Sequence, residues 1–237
     1  MNKEITLNPR SQELRVDERG YNYWHVMETP KTYETSEMAL ILCDVWDKHW
    51  SRAATERVAV LAPQIAKVVD AARDKGIMII HAPSDNMDFY KEFPARQRMI
   101  DTPRVELPKE IPHANPPQPC DSSDGGSDTN DQVFHFAWHR QHESIHIDDE
   151  KDGISEDGEE CYSYMNNHGI KTVVIMGIHT NMCILGRSYT ICQMVRWGMD
   201  VIFVGDLTDA NYNPALPPYV PHDEGTRLTV EFIERFW

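Results

Sequence analysis

The chain has few of the features that would assign it to a membrane or to nucleic acid. It contains 23 Lys and Arg against 38 Asp and Glu residues, which gives a formal net charge of −15. Nucleic acids and anionic membranes both reward clusters of Lys and Arg, so this charge argues against either as a main partner. No apolar stretch approaches the length of a membrane span, and the first twenty residues lack a signal-peptide pattern. We therefore expect a cytoplasmic protein.

The cysteine content also excludes two classes of protein. Five cysteines are an odd number, and no pair has the Cys-x-x-Cys spacing of zinc or redox sites. A reducing compartment is the simpler interpretation of such a set. The five are Cys43, Cys120, Cys161, Cys183 and Cys192.

Short apolar runs alternate with segments of helical periodicity along most of the chain. The predicted strands are residues 38–45, 77–82, 171–177 and 200–206, with a weaker candidate at 144–147. The predicted helices are residues 52–75, 155–169, 181–198 and 223–236. This alternation predicts a three-layer α/β/α fold, in which helices cover both faces of a central parallel sheet. We expect the strand order 3-2-1-4-5 or its six-strand extension, with the first and the cysteine-bearing strands adjacent at the centre.

One segment interrupts this alternation. Residues 82–142 are rich in proline and polar groups, and they are too many for an ordinary connection. With no internal repeat and no linker, residues 1–237 are predicted to form one domain with an N-terminal extension (about 1–36) and this insertion. Aromatic residues in the insertion predict that it covers a cleft or forms an interface between copies of the chain. They are Phe89, Tyr90, Phe93, Phe134, Phe136 and Trp138.

Two candidate functional residues follow predicted strands, where ligands bind in such folds. Asp44 closes the first strand, and Cys183 begins the predicted helix after the strand at 171–177. The start of a helix favours a thiolate and offers backbone N–H groups to an oxyanion, and a neighbouring carboxylate can act as a general base. The alternatives are a buried, inert cysteine and a carboxylate that caps a helix or forms an ion pair.

The segments "LILCDVWD" (residues 40–47) and "VIMGIHTNMCILG" (residues 174–186) resemble the isochorismatase-like cysteine hydrolases. The pattern of that family is a strand-ending Asp, a central Lys and then G-x-x-T-x-x-C at a helix start. Gly177, Thr180 and Cys183 fit the last motif. The resemblance covers about residues 38–81 and 144–235.

The family lysine is followed four residues later by a serine. Lys151 and Ser155 keep this spacing, so the resemblance points to Lys151. The alternative is a solvated lysine in an acidic loop, since four acidic residues flank it. They are Asp148, Asp149, Glu150 and Asp152.

The resemblance implies hydrolysis of a C–N bond in a small molecule, with no cofactor and no metal. Asp44 would take the proton from Cys183 while Lys151 holds the charged pair in place. The thiolate would attack an amide or carbamoyl carbonyl and form a thioester. Backbone N–H groups of His179 and Cys183 would stabilise the oxyanion, and the family's cis peptide would fall at Ile178–His179. Family members commonly form dimers or tetramers, so we expect a homo-oligomer.

Departures from the family pattern bear on the substrate. The usual D-x-Q motif ends here in Trp46, and with His49 and Trp50 this predicts a larger, more aromatic entrance. Met87 stands where nicotinamidases need a metal-binding His, which argues against that activity. Arg187 is predicted to contact a substrate carboxylate or to pair with a carboxylate of the 206–209 segment.

Two other functions stay open at this stage. The first is an isochorismatase-type ether hydrolysis, which needs Asp44 but not a thiolate. The second is a catalytically silent family member that acts as a binding or assembly protein.

Overall fold

The computed structural model describes residues 3–131 and 135–237 of the chain. The strands in these ranges are β1 (Glu4–Leu7), β2 (Arg10–Val16), β3 (Asn22–Glu28), β4 (Lys31–Glu34), β5 (Met38–Cys43), β6 (Met78–Ala82), β7 (Gly153–Ile154), β8 (Thr172–Gly177) and β9 (Asp200–Phe203). The α-helices are α1 (Arg52–Asp74), α2 (Met87–Tyr90), α3 (Pro94–Ile100), α4 (Gly158–Asn167), α5 (Cys183–Gly186), α6 (Ile191–Arg196) and α7 (His222–Phe236).

The central sheet has five parallel strands in the order β7-β6-β5-β8-β9. This order is the predicted 3-2-1-4-5, and the three-layer α/β/α fold class is confirmed. Every residue of β5 and of β8 is buried, as continuous apolar runs in a doubly covered sheet require. The register pairs Cys43 with Gly177, so the carboxyl ends of β5 and β8 lie side by side.

Helices cover both faces of this sheet. Ile65 and Val69 of α1 pack against Leu40 and Met176 on one face. Helices α4, α5, α6 and α7 supply the core on the other face, where Ile41 lies. Among the described residues, no helix has the length and apolarity that a membrane span needs.

The structure corrects three of the predicted elements. Residues 144–147 are not a strand; the third strand is β7, which pairs only with Ile80 and His81. The predicted helix over 181–198 is two short helices separated by residues 187–190. The N-terminal extension, for which no strands were predicted, forms two antiparallel pairs, β1 with β4 and β2 with β3.

Side-chain contacts hold the extension and the insertion to the central layers. Arg10 bonds to Glu234 of α7, with Nε 2.7 Å from Oε1. Within the insertion, Asp128 accepts from Arg57 of α1 at 3.0 Å, and the same guanidinium donates to Asp209 at 2.8 Å. The insertion is thus fixed to the carboxyl edge of the sheet by buried and half-buried charges.

Candidate active site

Asp44 directly follows β5, and its side chain is fully buried. Its Oδ1 accepts a hydrogen bond from the Ser84 backbone N–H at 2.8 Å and another from the Tyr189 hydroxyl at 3.3 Å. Its Oδ2 accepts from Arg187 Nε at 2.9 Å. A buried carboxylate is costly unless it is hydrogen-bonded and paired, and here both oxygens have partners.

Cys183 is the first residue of α5 and is half-buried. The Cys183 side chain lies close enough to the Asp44 carboxylate for each group to shift the pKa of the other, and the His179 backbone lowers the pKa of the thiol. The adjacency of β5 and β8 explains the contact, because each residue lies just beyond the carboxyl end of its strand. The structure therefore brings together Asp44, Cys183 and the backbone of His179, and the Ile178–His179 peptide bond is cis.

The charges of this pair depend mainly on burial. Burial raises the pKa of Asp44, while the charge of Arg187 and a hydrogen bond from Cys183 limit the rise. Burial also raises the pKa of the Cys183 thiol well above its usual value; the Asp44 charge adds to the rise and Arg187 opposes it. Burial therefore opposes the thiolate that a helix start favours, and α5 has only four residues.

Lys151 lies elsewhere. It comes two residues before Gly153, which pairs with Ile80, so Lys151 lies near the amino ends of the strands. Its side chain is 67% exposed, and its Nζ donates to Asp148 at 2.8 Å. Asp44, in contrast, lies beyond the carboxyl ends. The structure thus does not bring Lys151 to the Asp44–Cys183 pair, contrary to the expectation from the Lys-to-Ser spacing.

Arg187 is the cation at the pair. Besides the bond to Asp44, its Nη2 lies 3.1 Å from Asp85 Oδ2. The backbone of Arg187 is extended and ends α5, so Arg187 does not continue one helix from Cys183 as expected. The predicted pairing with the 206–209 segment is also not observed, because Asp209 bonds to other cations.

The predicted aromatic entrance is a buried wall. Trp46, His49 and Trp50 are each at most 8% exposed. Trp46 and Trp50 belong to the core cluster that contains Ile178, and Cys183 packs against this cluster. Trp46 and His49 both stack on Trp138, with ring centroids 4.4 and 5.6 Å away. The ring of His179 meets that of His49 edge-on, with centroids 4.9 Å apart. Trp138 belongs to the insertion, so part of the insertion packs beside the site. Phe134, named in the same prediction, lies outside the described residues.

Burial keeps both histidines of this wall neutral. It lowers the pKa of His49 to about 3, with a further contribution from His179, and lowers the pKa of His179 to about 4. Unfolding lets both protonate below their ordinary pKa of about 6.5. We therefore expect the free energy of unfolding to fall as the pH drops from about 6.5 toward 4, by roughly 1.4 kcal/mol per pH unit for each histidine. Urea unfolding at pH 7.5, 6.0 and 5.0 measures this slope.

A substitution tests whether His49 and His179 cause the pH dependence of the free energy of unfolding. His49→Gln should reduce it by about half, since one of the two titrating groups is removed. His222 changes the free energy of unfolding with pH in the opposite direction, both in the wild type and in His49→Gln. Burial alone would lower the pKa of His222, but its bond to Asp209 outweighs burial and raises the pKa. Its contribution is therefore complete below its unfolded pKa and is lost as the pH rises through the folded value. An unchanged slope in His49→Gln would contradict the assignment.

Three further groups belong to the site, and none of them was assigned a role from the sequence. Ser84, Asp85 and Tyr189 all contact Asp44 or its partner Arg187. The signal for the first two was their position just after the second strand, where ligand-binding residues gather. Tyr189 gave no signal, because it lies in the break between the two short helices.

The fold and these contacts define an α/β protein with a cysteine and a carboxylate paired at the carboxyl edge of a parallel sheet. A family model described as the Isochorismatase domain matches residues 38–215, well over half of the chain. The protein therefore belongs to the isochorismatase family, as the two quoted motifs predicted.

Solved structures resemble this chain at low sequence identity. A cysteine hydrolase from Pseudomonas syringae pv. phaseolicola 1448A is 16% identical with a TM-score of 0.51, over 85% of this chain and 86% of that one. An isochorismatase from Pseudomonas putida KT2440 is 15% identical with a TM-score of 0.48, over 86% and 87% of the two chains. No curated protein sequence matches the chain.

Proposed function

We propose that the protein is a cysteine hydrolase that cleaves a C–N bond, of amide or carbamoyl type, in a small molecule. The observation that carries the proposal is the placement of Cys183 and the buried Asp44 carboxylate side by side, beyond the carboxyl ends of two adjacent parallel strands. A thiol whose pKa is raised by burial is a weak nucleophile by itself, so it needs a base in direct contact. Asp44 has the position of that base.

The proposed reaction proceeds through a thioester. Asp44 accepts the thiol proton as the Cys183 sulfur attacks the carbonyl carbon, and the carbonyl oxygen becomes an oxyanion. Backbone N–H groups of His179 and Cys183 stabilise this charge. When the C–N bond breaks, Asp44 returns the proton to the leaving nitrogen. Water then attacks the thioester with Asp44 as its base, which releases the acid and restores the thiol.

A screen of purified protein tests the proposal. The panel contains primary amides, N-carbamoyl compounds and isochorismate, and turnover is followed by release of ammonia, amine or pyruvate. We expect wild-type turnover of an amide or carbamoyl compound and a loss on the order of 10³-fold or more in Cys183→Ala. Intact mass measured during turnover should show an acyl adduct on Cys183. Amide turnover that persists in Cys183→Ala would contradict a thioester.

Ether hydrolysis is a second candidate because the resting thiol is protonated. The raised pKa of Cys183 leaves Asp44 as the ionisable group suited to acid chemistry. In this case isochorismate would be consumed, and Cys183→Ala would retain turnover while Asp44→Asn would lose it.

A cytoplasmic location and assembly into a homo-oligomer remain predictions. Light scattering at working concentration tests whether the protein is a homo-oligomer.

A further inference from the structure

We propose that Arg187 is a catalytic residue, whose guanidinium supplies the positive charge that the sequence assigned to Lys151. This inference rests on the proposed hydrolase function, because it concerns the proton transfer between Cys183 and Asp44. The group touches a reacting atom: its Nε lies 2.9 Å from Asp44 Oδ2, the carboxylate that receives the thiol proton.

The guanidinium acts on both members of the pair. Its Nε forms an ion pair with Asp44 at 2.9 Å, and its charge opposes the rise in the pKa of the Cys183 thiol. Asp85 holds the other side of the guanidinium through Nη2 at 3.1 Å. One planar fork with several donors can hold two carboxylates at once, which an ammonium group cannot do with the same geometry.

The backbone fixes the place from which this side chain projects. The Arg187 N–H donates to the Cys183 carbonyl oxygen at 3.1 Å, and Thr190 Oγ1 donates to the carbonyl oxygens of both Cys183 and Arg187 at 2.9 Å. Ser188 is held next to Gly158, whose N–H donates to Ser188 Oγ at 3.0 Å. The break after α5 therefore turns the arginine toward the site instead of along a helix.

The charge balance of the reaction explains why a cation is needed here. When the proton moves from sulfur to Asp44, the negative charge moves from the carboxylate to the Cys183 sulfur. A buried charge is stable only when it is paired, so a cation must face both positions. A guanidinium stays charged throughout the pH range of the reaction and neither gives nor takes a proton. Arg187 is thereby assigned as a fixed charge, with Asp44 as the only proton carrier of the two.

A purely structural ion pair between Arg187 and Asp44 predicts a different behaviour. It would affect stability alone, whereas a catalytic cation must also set the pH at which Cys183 becomes a thiolate. The rate of Cys183 alkylation by iodoacetamide reports this quantity, and it needs no substrate. Peptide mapping separates Cys183 from the other four cysteines.

The experiment compares Arg187→Gln, Arg187→Lys and the matched surface control Lys151→Gln between pH 6 and 10. Glutamine can still donate a hydrogen bond to Asp44 but carries no charge. We expect Arg187→Gln to react about tenfold more slowly at pH 8, with its profile moved up by about one pH unit. The alkylation profile of Arg187→Lys should lie between those of Arg187→Gln and the wild type. Lys151→Gln should match the wild type within about twofold, the scatter expected for an uninvolved surface group.

Each outcome decides the assignment. A profile of Arg187→Gln within about twofold of the wild type, or a shift in Lys151→Gln, overturns it. Near-UV circular dichroism shows whether Arg187→Gln keeps its packing. If it does not, Arg187→Met, which also removes the charge, takes its place, and a profile within about twofold of the wild type overturns the proposal. Failure of the substrate panel would contradict the proposed hydrolase function but would leave the alkylation profiles, and this test, intact.

Discussion

Replacing Asp44 with Asn should reduce turnover of an amide substrate by on the order of 10²–10⁴-fold, the contribution of a general base. The amide group of the substituted side chain can fill the space of the carboxylate but cannot accept the thiol proton. Its neutral charge also leaves Arg187 without its main partner. Single-turnover kinetics on a substrate from the panel measures the loss in the chemical step.

The same substitution should have the opposite effect on the thiol itself. Burial raises the pKa of Cys183 most, the Asp44 carboxylate raises it further, and Arg187 lowers it. In Asp44→Asn the contribution of the carboxylate is lost, while burial still raises the pKa and Arg187 still lowers it, so alkylation of Cys183 at pH 7 should be as fast as in the wild type or faster. Loss of turnover with a preserved or enhanced thiolate is the signature of a missing proton acceptor.

A control at the same edge of the sheet makes the comparison specific. Asp206 follows β9 and is exposed, and Asp206→Asn should keep wild-type turnover and alkylation. If Asp44→Asn retains turnover within about tenfold, Asp44 is not the base. If turnover and alkylation fall together, Asp44 acts on the thiol in another way.

The sequence predicted the parts of the fold that depend on long apolar segments. The four main strands and helices α1, α4 and α7 are long enough for their burial pattern to be read from residue types alone. β7 has two residues, which no pattern can identify, and the hairpin of β2 and β3 is exposed on much of its surface. These elements form through pairing with distant partners, which periodicity does not report.

The same limit explains the outcome at the site. The positions of Asp44 and Cys183 were predictable because each residue follows a clear strand within a few residues. Adjacent parallel strands have their carboxyl ends at the same edge of the sheet, so residues that follow them lie close together. Lys151 was placed by its distance to Ser155 along the chain, which says nothing about the register of β7 against β6. Arg187 was noticed, but a continuous helix would have placed it on the face of Cys183, which suggested contact with a substrate carboxylate and gave no sign of its bond to Asp44.

Replacing Gly177 with Ala should lower the free energy of unfolding by about 3 kcal/mol or more, the cost of combined backbone strain and overpacking. Gly177 has a φ of 134°, which L side chains rarely adopt, and an added Cβ would lie far inside van der Waals contact with the Cys43 carbonyl oxygen. That oxygen also accepts the Ile178 N–H at 3.0 Å, so its displacement would break a bond between the two central strands. Chemical denaturation measures the loss.

Gly169→Ala separates the two causes of this loss. Gly169 also has a positive φ, of 72°, but an added Cβ there would meet nothing within 4 Å. It should cost only about 1 kcal/mol, the usual penalty for a side chain in this backbone region. Equal costs at the two glycines would show that β5 and β8 can separate without penalty, and would contradict the close strand contact that brings Asp44 to Cys183.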